Sequence, residues 1–209
     1  MARDTVDLIE RITRMVLSRL ENQIVVGVSN RHVHLSADDL ATLFGLDAMA
    51  VFRDVRQPGE FAAEQFVAVH GPRTSFPRVR AMGPCRPQSQ VELSRTDCIT
   101  LGIDAPVTQS GHLANAGPID IEGPKGSVHL EHGALVAARH IHMGPGHAAA
   151  FGVADQDLVK VRFGGQRGGL LDNFIIRIKP EWVPEIHLDT DEANALGLRD
   201  GDHGELVVG

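Results

Sequence analysis

Three times the chain writes the same phrase: a histidine, a polar turn able to cap a helix, a few helix-forming residues, and a glycine followed by an apolar residue. The first copy runs from His34 through Leu35-Ser36-Ala37-Asp38-Asp39 to Gly45-Leu46. The second runs from His142 through Met143-Gly144-Pro145-Gly146 to Gly152-Val153, and the third from His187 through Leu188-Asp189-Thr190-Asp191-Glu192 to Gly197-Leu198. Side-chain oxygens at the head of a helix accept from its free N–H groups, and glycine after the last turn accepts the left-handed conformation that ends it. Each copy therefore reads as a strand ending in histidine, a short capped helix and an exit that returns to a strand. Such units suit helices that plug the ends of β-barrels, and their recurrence implies a duplicated architecture.

The texture between the copies agrees. Short β-rich runs such as Ile24-Val25-Val26-Gly27-Val28, Val159-Lys160-Val161 and the stretch from Phe174 to Ile178 are separated by turn signals, among them Gln57-Pro58-Gly59, Gly83-Pro84 and Gly117-Pro118. Many short strands with few long helices point to small barrels rather than a doubly wound sheet. No glycine loop carries a nucleotide motif: none ends in Gly-Lys-Ser/Thr or opens a helix as Gly-x-Gly-x-x-Gly. The expected fold is mainly β, with two small β-barrel domains over residues 23–125 and 126–209 and short capping helices. Ahead of them Ile9, Ile12, Val16 and Leu20 recur at helical spacing, so residues 1–22 are expected to form an amphipathic helix. It either docks on the body of the protein or serves as a tag for a partner.

The chemistry concentrates in a doubled tetrapeptide, Arg31-His32-Val33-His34 and Arg139-His140-Ile141-His142. Side chains alternate along a strand, so His32 and His34 share one face, as do His140 and His142, and each pair is suited to pinch a metal ion. With His187 from the third copy, five of the eleven histidines stand at equivalent places, just before a turn or one strand period upstream. His70, His112, His129, His132, His147 and His203 lack that context and read as surface or turn residues. Arg31 and Arg139 should face away from the histidines, to pair with acids elsewhere or to meet phosphates. Asp189 and Asp191 are candidates to orient ligand imidazoles, although Asp191 and Glu192 are equally good helix-start residues.

A formal net charge of −7 argues against a nucleic-acid surface, so any anionic substrate must be met locally. Arg73, Arg78, Arg80 and Arg86 supply local positive density. No apolar run approaches membrane-spanning length. Cys85 and Cys98 alone cannot form a disulfide framework, which suits a reducing, cytoplasmic interior; Cys85 reads as a small buried hydrophobe rather than a soft ligand.

Several longer segments resemble one family in order along the chain. They are Val26 to Ser36, Gln57-Pro58-Gly59-Glu60-Phe61-Ala62-Ala63-Glu64, Gln90-Val91-Glu92-Leu93-Ser94-Arg95-Thr96-Asp97, Arg139 to Met143, and His187 to Asn194. Together they resemble the PduL-type phosphate propanoyltransferases. The resemblance implies two β-barrel domains, a dinuclear zinc site with two Zn2+ per chain, and reversible transfer of a propanoyl or acetyl group between coenzyme A and inorganic phosphate. By motif, His32, His34 and Glu92 correspond to the ligands of one metal, His140, His142 and His187 to those of the other, and Arg86 to an arginine of the active site, here the candidate phosphate clamp. Some family members enter bacterial microcompartments through an N-terminal amphipathic segment, which makes shell proteins a candidate partner and places the chain in the bacterial cytoplasm or such a compartment. The same ligands would also serve a metal-dependent thioester or acyl-phosphate hydrolase, or a zinc-stabilised structural protein.

Overall fold

A computed structural model describes residues 22–207. The amphipathic helix expected over 1–22 falls, but for residue 22, outside the described residues. Fourteen strands and four short helices follow. They are β1 (Gln23–Ser29), β2 (His32–His34), α1 (Ala37–Phe44), β3 (Val51–Asp54), β4 (Phe61–His70), β5 (Ser75–Gly83), β6 (Gln90–Leu93), α2 (Arg95–Leu101) and β7 (Val107–Thr108). The second half holds β8 (Gly117–Glu122), β9 (Ser127–Ala137), β10 (His140–Met143), α3 (Pro145–Phe151), β11 (Leu158–Phe163), β12 (Gly169–Ile178), β13 (Glu185–Asp189), α4 (Thr190–Leu196) and β14 (His203–Val207). No described helix is long and apolar enough to cross a membrane.

Two closed six-strand rings result, as the short, turn-rich strands imply. In the first, β4, β5, β2, β6, β9 and β8 pair in succession and β8 returns to β4, with β3 and β7 added outside the ring. The second runs β1, β13, β10, β12, β11, β14 and back to β1. Alternation decides which side chains fill each ring: in β11, Val159, Val161 and Phe163 point inward while Leu158, Lys160 and Arg162 face solvent. Each barrel has its own core, one around Val33, Val67, Ala81, Val91 and Ile121, the other around Val26, Ile141, Val161, Phe174 and Ile186.

The strand pairing crosses the division expected at residue 125, and that boundary needs correcting. β1 opens the chain but closes the second barrel, beside β13 and β14. β9, at residues 127–137, lies in the first barrel beside β6 and β8. The first barrel is thus one continuous run, residues 32–137, inserted between β1 and the rest of the second barrel, and the chain passes between the barrels at Asn30-Arg31 and again at Ala138-Arg139.

All four helices among the described residues follow one plan, so the repeated unit occurs four times there rather than three. The copy missed by sequence is Glu92-Leu93-Ser94-Arg95-Thr96-Asp97, ending at Gly102-Ile103, where glutamate replaces the leading histidine. Ser36, Ser94, Gly144 and Asp189 stand at the N-caps, and Ser94 and Asp189 complete capping boxes with Asp97 and Glu192. Gly45, Gly102, Gly152 and Gly197 end the helices at φ of 67, 77, 69 and 68°, a conformation in which a Cβ is penalised. Helices of seven or eight residues are not stable alone, and these are held by burying Leu40 and Leu43, Cys98 and Leu101, Ala148, and Ala193 and Leu196.

Candidate metal centre

Strands β2, β6 and β10 differ from ordinary barrel strands because both of their faces are covered. Val33, Val91 and Ile141, all 0% exposed, point into the cores. Alternation therefore turns His32, His34, Gln90, Glu92, His140 and His142 outward, onto the barrel walls that meet at the seam between the two rings. Pairing sets their neighbours: His32 lies opposite Glu92 and His34 opposite Gln90, while His140 lies opposite His187 and His142 opposite Glu185. The structure thereby brings together the residues expected as two ligand sets. The ligand atoms of His32, His34 and Glu92 lie within 4.8 Å of one another, as do those of His140, His142 and His187.

In the first group His34 Nε2 is 3.2 Å from His32 Nε2 and 3.3 Å from Glu92 Oε1, and His32 Nε2 is 3.5 Å from Glu92 Oε2. In the second, the His140 and His187 rings stack at 4.7 Å and the His142 ring stacks on Trp182 at 3.8 Å. The two groups share a local device. His32 Nδ1 lies 2.8 Å from the Asn30 carbonyl and His140 Nδ1 2.9 Å from the Ala138 carbonyl. A carbonyl only accepts, so each Nδ1 carries the proton and leaves the Nε2 lone pair free for the site.

Two observations test whether these residues suit a metal. Burial pushes His34 down to about 4 and His140 to about 3, and with His187 it pushes His142 lower still, so the imidazoles are neutral and their lone pairs available. Burial opposes ionisation of Glu92, but His32, His34 and the Ser110 hydroxyl outweigh it and hold the carboxyl well below its usual range. Further, His142 Nδ1 and Nε2, His187 Nε2 and His34 Nδ1 are buried without a hydrogen-bond partner. Orphaned polar atoms of that kind are costly, and in the second group a cation would satisfy His187 Nε2 and one nitrogen of His142. Two imidazoles with a carboxylate, and three imidazoles, are donor sets for a borderline divalent ion.

Residues that sequence reasoning passed over surround the groups. Ser110 Oγ accepts from Arg86 Nη1 at 2.7 Å and from Gln90 Nε2 at 2.8 Å, and donates to Glu92 Oε1 at 2.6 Å. Gln90 Nε2 also donates to Glu92 Oε1 at 2.6 Å, and Arg86 Nη1 stands 3.8 Å from the same oxygen. Beside the second group, Glu185 Oε2 is 3.3 Å from His187 Nε2 and accepts from Gln57 Nε2 at 2.6 Å. Gln57 belongs to the first barrel's β3–β4 loop, so this contact ties the barrels together. Gln90 and Glu185 each precede a proposed ligand by two residues, a same-face spacing that was a usable signal; Ser110 and Gln57 reach the site only through the fold.

Arg86, Ser110, Arg177, Lys179, His142 and Trp182 line a cavity of about 440 Å³ that draws on both barrels. Of the four arginines from Arg73 to Arg86 only Arg86 reaches it. Arg73 donates to the Ile99 carbonyl, while Arg78 and Arg80 lie over Phe66 at 3.8 and 4.2 Å. Cys85 packs against the first core, and burial pushes its thiol up. Arg31 and Arg139 take the first of their two expected roles. Arg31 Nε and Nη2 donate to Asp97 Oδ1 at 2.9 and 2.7 Å, and Arg139 Nε lies 2.7 Å from Glu192 Oε1. Both acids are third residues of capping boxes, so each arginine locks a chain crossing to the helix beside it. Asp189 serves as a helix start, whereas Asp191 reaches across the seam and accepts from Thr96 N of α2 at 2.8 Å.

A family model described as phosphate propanoyltransferase matches residues 25–199. The chain belongs to the phosphate propanoyltransferase family. A phosphate propanoyltransferase of Rhodopseudomonas palustris strain BisB18 is 47% identical over 181 residues, covering 86% of this chain and 80% of its own length. One from Thermotoga maritima is 47% identical over 188 residues, 89% of this chain and 90% of its own. A third, from Salmonella typhimurium, is 44% identical over 193 residues, 91% and 92% respectively. A phosphate propanoyltransferase is an acyltransferase, and the family implies acyl-coenzyme A and phosphate as substrates. In this chain the seam between the barrels is where the buried histidines meet a cavity lined by Arg86, Arg177 and Lys179 together with Glu60 and Glu181.

Proposed function

We propose that the chain transfers a short acyl group, propanoyl or acetyl, reversibly between coenzyme A and inorganic phosphate at a dinuclear zinc centre on the barrel seam. The observation that carries this reading is the pair of three-ligand groups beside one cavity, with imidazoles that burial keeps neutral in each and nitrogens without a hydrogen-bond partner in the second. His32, His34 and Glu92 would hold one ion and His140, His142 and His187 the other. When bound, the ions supply Lewis acidity for the thioester carbonyl and affinity for phosphate oxygen and departing thiolate. Three protein ligands at each group support a site with room for substrate over the closed, four-ligand site of a structural zinc protein.

The barrier to the reaction is the meeting of two anionic reactants and the charge that develops on the carbonyl oxygen. Arg86 is the proposed phosphate clamp: its planar guanidinium binds phosphate oxygens in pairs and stays charged at any working pH. Ser110 fixes the guanidinium through Nη1, leaving its other donors for substrate, and ties it to Glu92 so that clamp and ligand move as one. Gln90 holds the far side of Ser110 and Glu92. With the phosphate oxygen oriented in this way it attacks the thioester directly, the C–O bond forms, and the C–S pair leaves with sulfur. The entrance role proposed for residues 1–22, targeting to a bacterial microcompartment, rests on the amphipathic pattern and the family resemblance.

Metal content per chain, together with phosphate-dependent thiol release from propanoyl-coenzyme A, tests the reading. Two ions per chain are expected, falling to one in His32→Ala and in His142→Ala, with transfer lost in both. Thiol release indifferent to phosphate would make the chain a hydrolase, and a trapped acyl-protein would overturn direct attack.

A further inference from the structure

We propose that Arg177 is a second anion-binding residue of the seam cavity, facing Arg86 from the opposite barrel and sharing with it a phosphate group of the substrates. The inference rests on the transferase reading above and adds a residue that neither the repeated phrase nor the family segments pick out. Arg177 lies on β12, paired with His142 of β10. Its neighbour Ile176, 0% exposed, fills the core, so Arg177 projects from the same outer wall as the second histidine group and lines the cavity.

What singles Arg177 out is the lack of a contacting counter-charge: Glu92, Glu60 and Asp155 act on it only from a distance, and Glu60 and Glu181 share the cavity wall. Among the described residues no carboxylate lies within ion-pair distance of it, although most arginines near the seam have one: Arg31 has Asp97 and Arg139 has Glu192. Its aromatic neighbour is Trp182, with the guanidinium carbon 5.5 Å from the ring and Lys179 Nζ 4.4 Å from the same ring. An indole face attracts cations without neutralising them. Arg86 across the cavity is only partly compensated, because Glu92, 3.8 Å away, is already engaged by two histidines, Ser110 and Gln90. Burial, and then the Arg86 charge, push the Arg177 guanidinium below its ordinary value. Two half-buried guanidiniums from different barrels thus converge on one space, an arrangement that costs free energy until an anion fills it. Phosphate oxygens fit the two forks, since each guanidinium offers paired N–H groups at the spacing of two such oxygens.

The oxyanion has two sources, the phosphate acceptor and the diphosphate of coenzyme A, and kinetics separate them. Arg177→Gln and Arg177→Lys are assayed with phosphate, with propanoyl-coenzyme A, and with propanoyl-pantetheine, which has the thioester but no diphosphate. Loss of a charge-assisted contact raises KM for the group concerned by roughly 10- to 100-fold in Arg177→Gln, and by less in Arg177→Lys, which keeps the charge but not the fork. A rise in KM for phosphate with both thioesters, kcat changing less, assigns Arg177 to the acceptor. A rise for propanoyl-coenzyme A alone assigns it to the diphosphate. Unchanged KM for all three substrates, in a variant with wild-type metal content and melting temperature, overturns the proposal. An arm without turnover keeps the two readings apart: inorganic phosphate, or coenzyme A if the diphosphate is the ligand, should raise the melting temperature of the wild type more than that of either variant. Equal rises with both ligands would sink the role of Arg177 even if transfer were intact, whereas wild-type turnover indifferent to phosphate would sink the transferase reading alone.

Discussion

Gln57→Ala removes one side chain and breaks three contacts across the barrel seam. Gln57 is 2% exposed. Its Nε2 donates to Glu185 Oε2 at 2.6 Å and to the Val183 carbonyl at 3.2 Å, and its Oε1 accepts from Val183 N at 3.3 Å. A hydrogen bond to a charged group contributes about 1.5–3 kcal/mol and a neutral one about 0.5–1.5 kcal/mol, the two longer bonds falling at the low end. The loss is therefore about 3 kcal/mol, dominated by the Glu185 carboxylate left buried and short of a donor. For a chain of this size that lowers the melting temperature by roughly 6–12 °C. Thermal and urea denaturation of Gln57→Ala, Glu185→Gln and the double variant give the cycle. A coupling of about 1.5–3 kcal/mol between the two positions is expected, because the amide matters chiefly through the charge it faces. Additive effects, or a fall below about 1 kcal/mol in Gln57→Ala, would refute the assignment of Gln57 as the tie between the barrels.

The crossings and the imidazoles supply two further predictions. Arg31→Ala strips the buried Asp97 of its counter-ion while Asp97 still caps α2, and should cost about 1–3 kcal/mol by urea denaturation, more than Arg78→Ala; equal costs would deny the crossing its lock. In metal-stripped protein, burial lowers His34 from 6.5 to about 4 and His140 to about 3, so the unfolded chain takes up these protons first. Their contribution is thus fully present above pH 6.5 and is lost as pH falls through 4 to 3, about 3 kcal/mol for His34 alone at ~1.4 kcal/mol per unit. A urea midpoint that stays level from pH 7 to pH 4 would contradict this.

The parts of the molecule legible in the sequence were those written locally. Strand alternation places His32 with His34 and His140 with His142, and caps and glycines mark three helices. The fourth helix is hidden from a histidine-led pattern because its leading residue is Glu92; Leu-Ser-x-x-Asp, shared with the first copy, is the better guide. The boundary at residue 125 failed for a different reason: β1 and β9 look like strands from either half, and nothing in a strand's own residues names the partner it pairs with. The contacts of Arg31 with Asp97 and of Gln57 with Glu185 span 66 and 128 positions and exist only once both rings have closed.

The insertion of one barrel into the other also bears on how this enzyme can move. Each crossing has just two residues between strands, Asn30-Arg31 and Ala138-Arg139, and each leads directly into a histidine of the seam. Two such short crossings, both ending at the seam, leave little slack for the barrels to separate, and any relative motion must turn on these few element-terminal residues. A turn at either crossing would move the histidine that follows it, so the two groups and the chain path between the barrels are mechanically coupled.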